Sequence, residues 1–164
     1  MILTTHAVVG AAVAELFPSN PILGFCAAFL SHFVLDAIPH WDYKIKSHKK
    51  NPEDPLNGGV KFGKDFIIDL LKVLIDLILG FVLSFLIFSK DGLKNQEIAL
   101  MGAFAGMFPD ALQFAYWIFK TKFLKSIQKI HFAVHQIIEI KPSVFWGIFS
   151  QVAIIAIVLF IVLK

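Results

Sequence analysis

Four long apolar segments constrain the fold of this chain more than any other feature of its sequence. They cover residues 22–39, 65–88, 96–119 and 143–163. A helix needs about 18 to 20 apolar residues to cross a bilayer, and in lipid only helices and closed barrels satisfy their backbone hydrogen bonds. Because polar and apolar residues do not alternate as in strands, the sequence predicts an all-α integral membrane protein. We expect a helical bundle with about four spanning helices, folded as one domain over residues 1–164.

Three further segments are too short or too polar to cross the membrane. Residues 1–17 predict a short N-terminal half-helix of about 12 residues, capped by Thr4 or Thr5 and half-inserted or tightly packed. Residues 121–140 alternate lysines with apolar residues, which predicts an amphipathic helix lying at the membrane interface. Residues 41–64 contain six lysines and read as a polar surface loop, in which His48 is expected to be solvated.

The basic residues predict the orientation of the chain. All 15 of them are lysine, and the formal net charge is +3. They lie between apolar segments, which fits anionic headgroups better than nucleic acid, so membrane lipids are the expected partners. Most of the lysines fall in residues 41–64 and 120–141. The positive-inside rule therefore places both segments on the cytoplasmic side of the cytoplasmic (inner) membrane.

Three ionisable residues stand four positions apart inside an apolar run. On a helix, His32, Asp36 and His40 would project from one face, and two imidazoles with a carboxylate are ligands that a metal ion prefers. The alternative is that they are polar residues at a helix end that meet water. Three residues in register favour the metal site. Cys26 is the only cysteine, so the ligands must be histidine and carboxylate.

Four other polar residues are expected to reach the same side of the membrane. Asp110 follows Pro109, which is expected to break its helix and aim the carboxylate into the bundle, although Asp110 could instead cap the following segment. Zinc suits such nitrogen and oxygen ligands, as one or two ions, with manganese, iron or nickel as alternatives. The complete candidate ligand set is His6, His32, Asp36, His40, Asp110, His131 and His135.

Acidic residues also enter the second long apolar segment. Asp65, Asp69, Lys72 and Asp76 follow one another at spacings of four, three and four, which places them on one helical face. Asp69 or Asp76 could act as a catalytic base or orient a ligand histidine. The alternative for Asp69 is an ion pair with Lys72 that only supports packing.

Several short motifs resemble those of a known family. Thr5-His6 with Gly10, the Gly106-to-Asp110 turn with its Pro-Asp pair, and the later pair of histidines are similar to the small inner-membrane proteins known as membrane-bound metal-dependent hydrolases. The segment from Ser31 to His40 also resembles the His-x3-Asp metal-binding helix of zinc-dependent phospholipase C. The resemblance implies a hydrolase and metal roles for His32, Asp36 and His40.

We therefore expect a membrane metal-dependent hydrolase. Its expected substrate is a lipid-linked phosphoester, attacked by a metal-activated water at the cytoplasmic face. One alternative is a metal or proton transport protein that uses Asp65, Asp69 and Asp76 as its pathway. Another is a non-catalytic membrane protein in which the metal is structural.

Overall fold

The computed structural model describes residues 1–88, 93–137 and 142–164, and these are almost entirely helical. Residues 37–63 add a two-stranded antiparallel hairpin, β1 (His48–Lys49) with β2 (Gly59–Val60), and a 3₁₀ turn at Pro55–Asn57 between the strands. The helices are α1 (Leu3–Glu15), α2 (Pro21–Asp36), α3 (Lys64–Phe88), α4 (Leu93–Phe119), α5 (Lys122–His135) and α6 (Val144–Val162).

Three of these helices are long and apolar enough to cross a membrane. They are α3, the stretch 95–119 of α4, and α6. The all-helical fold predicted from the sequence is confirmed. The fourth expected span, α2, has 16 residues, or about 24 Å, which is shorter than the hydrocarbon core. The four-span count therefore stays a prediction.

The shortest of the N-terminal helices lies at the centre of the bundle. α1 packs against α2, α3, α4 and α6, and most of its residues are buried. Small residues allow this close packing, because glycine and alanine let helix backbones approach one another. Gly10 of α1 faces Gly102 and Gly106 of α4, and a side chain at any of the three would collide with the opposite backbone.

The proline in α4 does not break its helix. α4 runs continuously from Leu93 to Phe119 with Pro109 inside it, so the predicted break is wrong. Pro109 has no N–H, which leaves the carbonyl of Ala105 without its intrahelical donor. The surrounding packing keeps the helix intact, and Asp110 projects from its middle rather than from an end.

The segment between α2 and α3 is more ordered than the sequence suggested. The ring of His48 stacks on that of Trp117 of α4 at a centroid distance of 4.0 Å, so the prediction of a solvated histidine is wrong. The amino group of Lys120 donates a hydrogen bond to the carbonyl of Gly58. Burial, with nearby Lys50 and Lys120, lowers the pKa of His48 below its usual value. These contacts hold the hairpin against the end of α4.

The start of α1 is capped by a carboxylate from another helix. Asp76 of α3 accepts hydrogen bonds from the backbone N–H groups of Leu3 and Thr4, at 2.7 and 3.0 Å, and from the Thr4 hydroxyl. An anion at a helix N-terminus satisfies free N–H groups and interacts favourably with the helix dipole. Asp76 therefore fastens α1 to α3.

Replacing Asp76 by asparagine is expected to destabilise the protein by about 1–2 kcal/mol, as the loss of a good helix cap does. The bound metal should remain, because Asp76 does not contact the histidines described below. Thermal unfolding in detergent and metal content would be measured together, with Asp65→Asn, on the exposed side of α3, as the matched control. Loss of metal from Asp76→Asn without loss of stability would contradict the capping role.

Candidate metal centre

Asp36, the last residue of α2, lies at the centre of a cluster of histidines. Its Oδ2 atom is 3.0 Å from Nε2 of His32, 2.8 Å from Nε2 of His131 and 3.1 Å from Nε2 of His135. Its Oδ1 atom is 3.1 Å from Nε2 of His6. One buried carboxylate thus receives side chains from α1, α2 and α5, which are far apart in the sequence.

Four of these residues form a group that could hold a metal ion. One ligand atom from each of His32, Asp36, Asp110 and His131 lies within 4.8 Å of the others. The Nε2 atoms of His32 and His131 are 3.3 Å apart, and Asp110 Oδ1 is 3.8 and 3.6 Å from them. With metal–ligand bonds of about 2.0–2.2 Å, the ligands of a tetrahedral site lie about 3.3–3.6 Å apart. The spacing fits a four-ligand site.

The hydrogen bond on the far side of the His32 ring fixes its tautomer. His32 Nδ1 is 2.8 Å from the carbonyl oxygen of Gly106, which requires the proton on Nδ1. In a neutral ring, Nε2 then presents its lone pair to Asp36 Oδ2 at 3.0 Å. Two lone pairs repel at this distance unless positive charge lies between or beside them. The cluster therefore requires a bound cation or a protonated imidazole, and a metal ion fits the donor set.

The cluster is buried on one side and reachable on the other. His6, His32, Asp36 and His131 are almost completely buried. The side chains of Asp110 and His135 keep 29% and 33% of their exposure. Asp110 lies nine residues before the end of α4, about 13 Å along the helix axis. The site thus opens near the end of the bundle that carries the hairpin.

His40 reaches the cluster by a different route from the one expected. α2 ends at Asp36, so His40 lies beyond the helix, and the prediction that it shares a helical face with His32 is wrong. The chain turns back after Ala37, and His40 Nε2 comes to 4.0 Å from Asp36 Oδ1. It is also 3.4 Å from Oδ2 of Asp42.

Asp42 stands at the exposed margin of this site. Burial acts to raise its pKa, but hydrogen bonding to His40 and the neighbouring Met1 amino group outweigh that effect and hold the pKa of Asp42 below its usual value. Its side chain is 48% exposed. Asp42 is therefore an ionised carboxylate at neutral pH, beside the histidines and accessible from outside.

The two aspartates predicted to act in catalysis make their contacts elsewhere. Asp76 caps α1, as described above, and accepts a hydrogen bond from the Tyr43 hydroxyl at 3.2 Å. Burial and the nearby Asp76 carboxylate raise the pKa of Tyr43 well above its ordinary value. Asp69 accepts from the backbone N–H of Ser47 at 2.7 Å and from Lys72 at 3.0 Å. These contacts favour positioning of helices and loop, and the catalytic roles stay predictions.

The sequence reading missed Gln151. Its Oε1 atom accepts from the backbone N–H of Ile2 and from the Thr5 hydroxyl, and its Nε2 atom donates to the carbonyls of Trp41 and Gly147. Gln151 therefore joins α6 to the start of α1 and to the segment that carries His40 and Asp42. A buried amide in an otherwise apolar span was the available signal, because polar groups at membrane depth require partners.

Comparison of the chain with protein-family models, characterised proteins and solved structures finds no match. The resemblance to membrane-bound metal-dependent hydrolases is therefore a proposal that depends on the short motifs alone. Of the residues in those motifs, His6, His32, Asp36, Asp110, His131 and His135 all converge on the cluster.

Proposed function

We propose that this protein is an integral membrane metal-dependent hydrolase that acts on a lipid-linked phosphoester at the cytoplasmic face of the inner membrane. The observation that supports the proposal best is a four-ligand cluster with an exposed edge. Structural metal sites are usually closed by protein ligands, whereas catalytic sites leave a position for water or substrate. Exposure of the Asp110 and His135 side chains, at 29% and 33%, favours the catalytic kind.

The ligands proposed for the metal are His32, Asp36, Asp110 and His131, and zinc suits them. A zinc ion bound there would polarise a phosphoryl oxygen and lower the pKa of a bound water toward about 7. Gly106 holds the His32 ring with its Nε2 lone pair turned inward. His135, partly exposed and 3.3 Å from His131 Nε2, is placed to exchange a proton with an incoming group.

The helix that supplies two histidines also supports a lipid substrate. α5 buries His131 and exposes Lys122, Lys125 and Lys129. Exposed Phe123 and Ile130 lie on the same helix. Lysines beside exposed apolar side chains suit the boundary between anionic headgroups and acyl chains. A phosphoester linked to lipid would thus be held close to the cluster.

The contacts of the acidic residues favour this proposal over transport. A relay along α3 needs carboxylates that are free to exchange ions or protons. Asp69 and Asp76 instead accept hydrogen bonds from backbone N–H groups of the 41–64 segment and of α1. A purely structural metal remains the other alternative, and it differs from the proposal in having no hydrolytic activity.

A lipid hydrolysis assay tests the proposed function. The protein, stripped by a chelator and reloaded with zinc, is expected to release product from at least one member of a panel of phospholipids and isoprenoid phosphates. His131→Gln should lower the rate at least tenfold, because a ligand is lost, while His48→Gln, a histidine outside the cluster, should leave it unchanged. Stoichiometric zinc without hydrolysis of any substrate would contradict the proposal and favour a structural metal.

A further inference from the structure

The two oxygens of the Asp36 carboxylate face two different sets of ligands. Oδ2 faces the set described above, with His32 and His131 within 3.0 Å. Oδ1 faces the opposite way, toward His6 at 3.1 Å and His40 at 4.0 Å. The four-ligand cluster uses neither of these two histidines. A second group of nitrogen and oxygen ligands therefore shares Asp36 with the first.

The second group is completed by Asp42. Its Oδ2 atom lies 3.4 Å from His40 Nε2. His40 Nδ1 is 2.7 Å from the carbonyl oxygen of Ile38, so its proton is on Nδ1 and its Nε2 lone pair faces inward. The Nδ1 atom of His6 has no hydrogen-bond partner in the described part of the chain. The side chains thus present two imidazoles and two carboxylates to one small space.

A positively charged group lies where these ligands converge. The amino nitrogen of Met1 is 2.7 Å from His40 Nε2, 3.0 Å from Asp36 Oδ1 and 3.1 Å from Asp42 Oδ2. Three acceptors around one nitrogen mark a place that attracts a cation, independently of the four-ligand cluster. A divalent cation would find the same acceptors there.

The charge of the whole site also favours more than one cation. Asp36, Asp42 and Asp110 bring three carboxylates to neutral imidazoles, largely out of water. One divalent ion leaves a formal charge of −1 on these side chains, and burying an uncompensated charge is costly. Two divalent ions reverse the sign, which suits the binding of an anionic phosphoester.

We propose that the site binds two divalent cations, bridged by the Asp36 carboxylate, with the second cation held by His6, His40 and Asp42. This inference rests on the metal site of the proposed function and adds a second position to it. In two-metal sites the ions stand about 3.5–4 Å apart and stabilise both the attacking and the leaving oxygen of a phosphoryl transfer. A phosphoester is therefore the substrate class that the paired site fits.

Metal stoichiometry tests the second position. Protein stripped with a chelator is reloaded with Mn²⁺ alone, separated from free metal and subjected to elemental analysis, with electron paramagnetic resonance as a second readout. The wild type should bind two ions per chain and give the spectrum of a magnetically coupled pair. Asp42→Asn and His40→Gln should each lose half of the bound metal and give the spectrum of an isolated ion. His48→Gln is the control and should match the wild type.

Asp42 is half exposed, so Asp42→Asn should fold normally, and an unchanged unfolding temperature of the stripped protein would verify this. A wild type that binds one ion, or an Asp42→Asn variant and a His40→Gln variant that both keep two, would overturn the second position. These results are distinct from those of the hydrolysis assay. One ion with hydrolysis leaves the proposed function intact and removes the second site, whereas two ions without hydrolysis do the opposite.

Discussion

Replacing Asp36 by asparagine is expected to remove bound metal almost completely, with at least a tenfold fall in affinity. Nitrogen atoms of His6, His32, His131 and His135 lie within 3.1 Å of its two oxygens. Asparagine keeps the shape but removes the negative charge and turns one acceptor into a donor. The amide N–H groups would satisfy lone pairs that a metal ion otherwise takes. Elemental analysis of the purified variant measures the effect.

The matched control is Asp65→Asn, which removes a carboxylate from the exposed surface of α3. It should keep the full metal content. Circular dichroism and unfolding temperature would verify that Asp36→Asn retains its helices. If a folded Asp36→Asn variant bound as much metal as the wild type, the cluster would be a hydrogen-bonded network of histidine and aspartate rather than a metal centre.

Replacing Gly106 by valine is expected to have the second large effect. A Cβ atom at this position would collide with the carbonyl oxygen of His6 and would lie 3.2 Å from the Cα of Gly10. Overpacking of this kind costs about 1–3 kcal/mol. α1 would have to move away from α4, taking His6 with it. The carbonyl of Gly106 would also shift, and with it the hydrogen bond that orients His32.

The measurements are the unfolding temperature and the metal content of the variant, both of which should fall. Gly59→Ala provides the control, because a Cβ atom there meets nothing within 4 Å. Gly106→Val with wild-type stability and metal content would mean that α1 and α4 do not pack as closely as described.

Some members of the site could be predicted from local sequence, and others could not. His32 and Asp36 lie one turn apart on α2, so their spacing alone brings them together. His40 was predicted for the wrong reason, since the helix ends before it and the chain folds back. Gln151 was overlooked because its partners are backbone groups in two other segments. Neither outcome is encoded in a helical period.

Asp76 illustrates the same limit from the other direction. Its place within an apolar segment marks it as unusual, since an ionisable group at membrane depth needs a partner. Which partner it has depends on where α1 begins relative to α3, and the two are more than 70 residues apart. The sequence therefore identified the residue correctly as exceptional and could not distinguish a helix cap from a catalytic base.

The sequence by itself determined the helical membrane architecture and the chemical type of the site. Apolar length sets which segments form long helices, and the bilayer leaves few other choices for the backbone. Histidine and aspartate without paired cysteines set the kind of ligand. Tertiary structure decided which of these ligands meet. His131 lies 95 residues from Asp36 in the chain, and only the packing of α1 against α4 through small residues, with α2 and α5 alongside, brings them together.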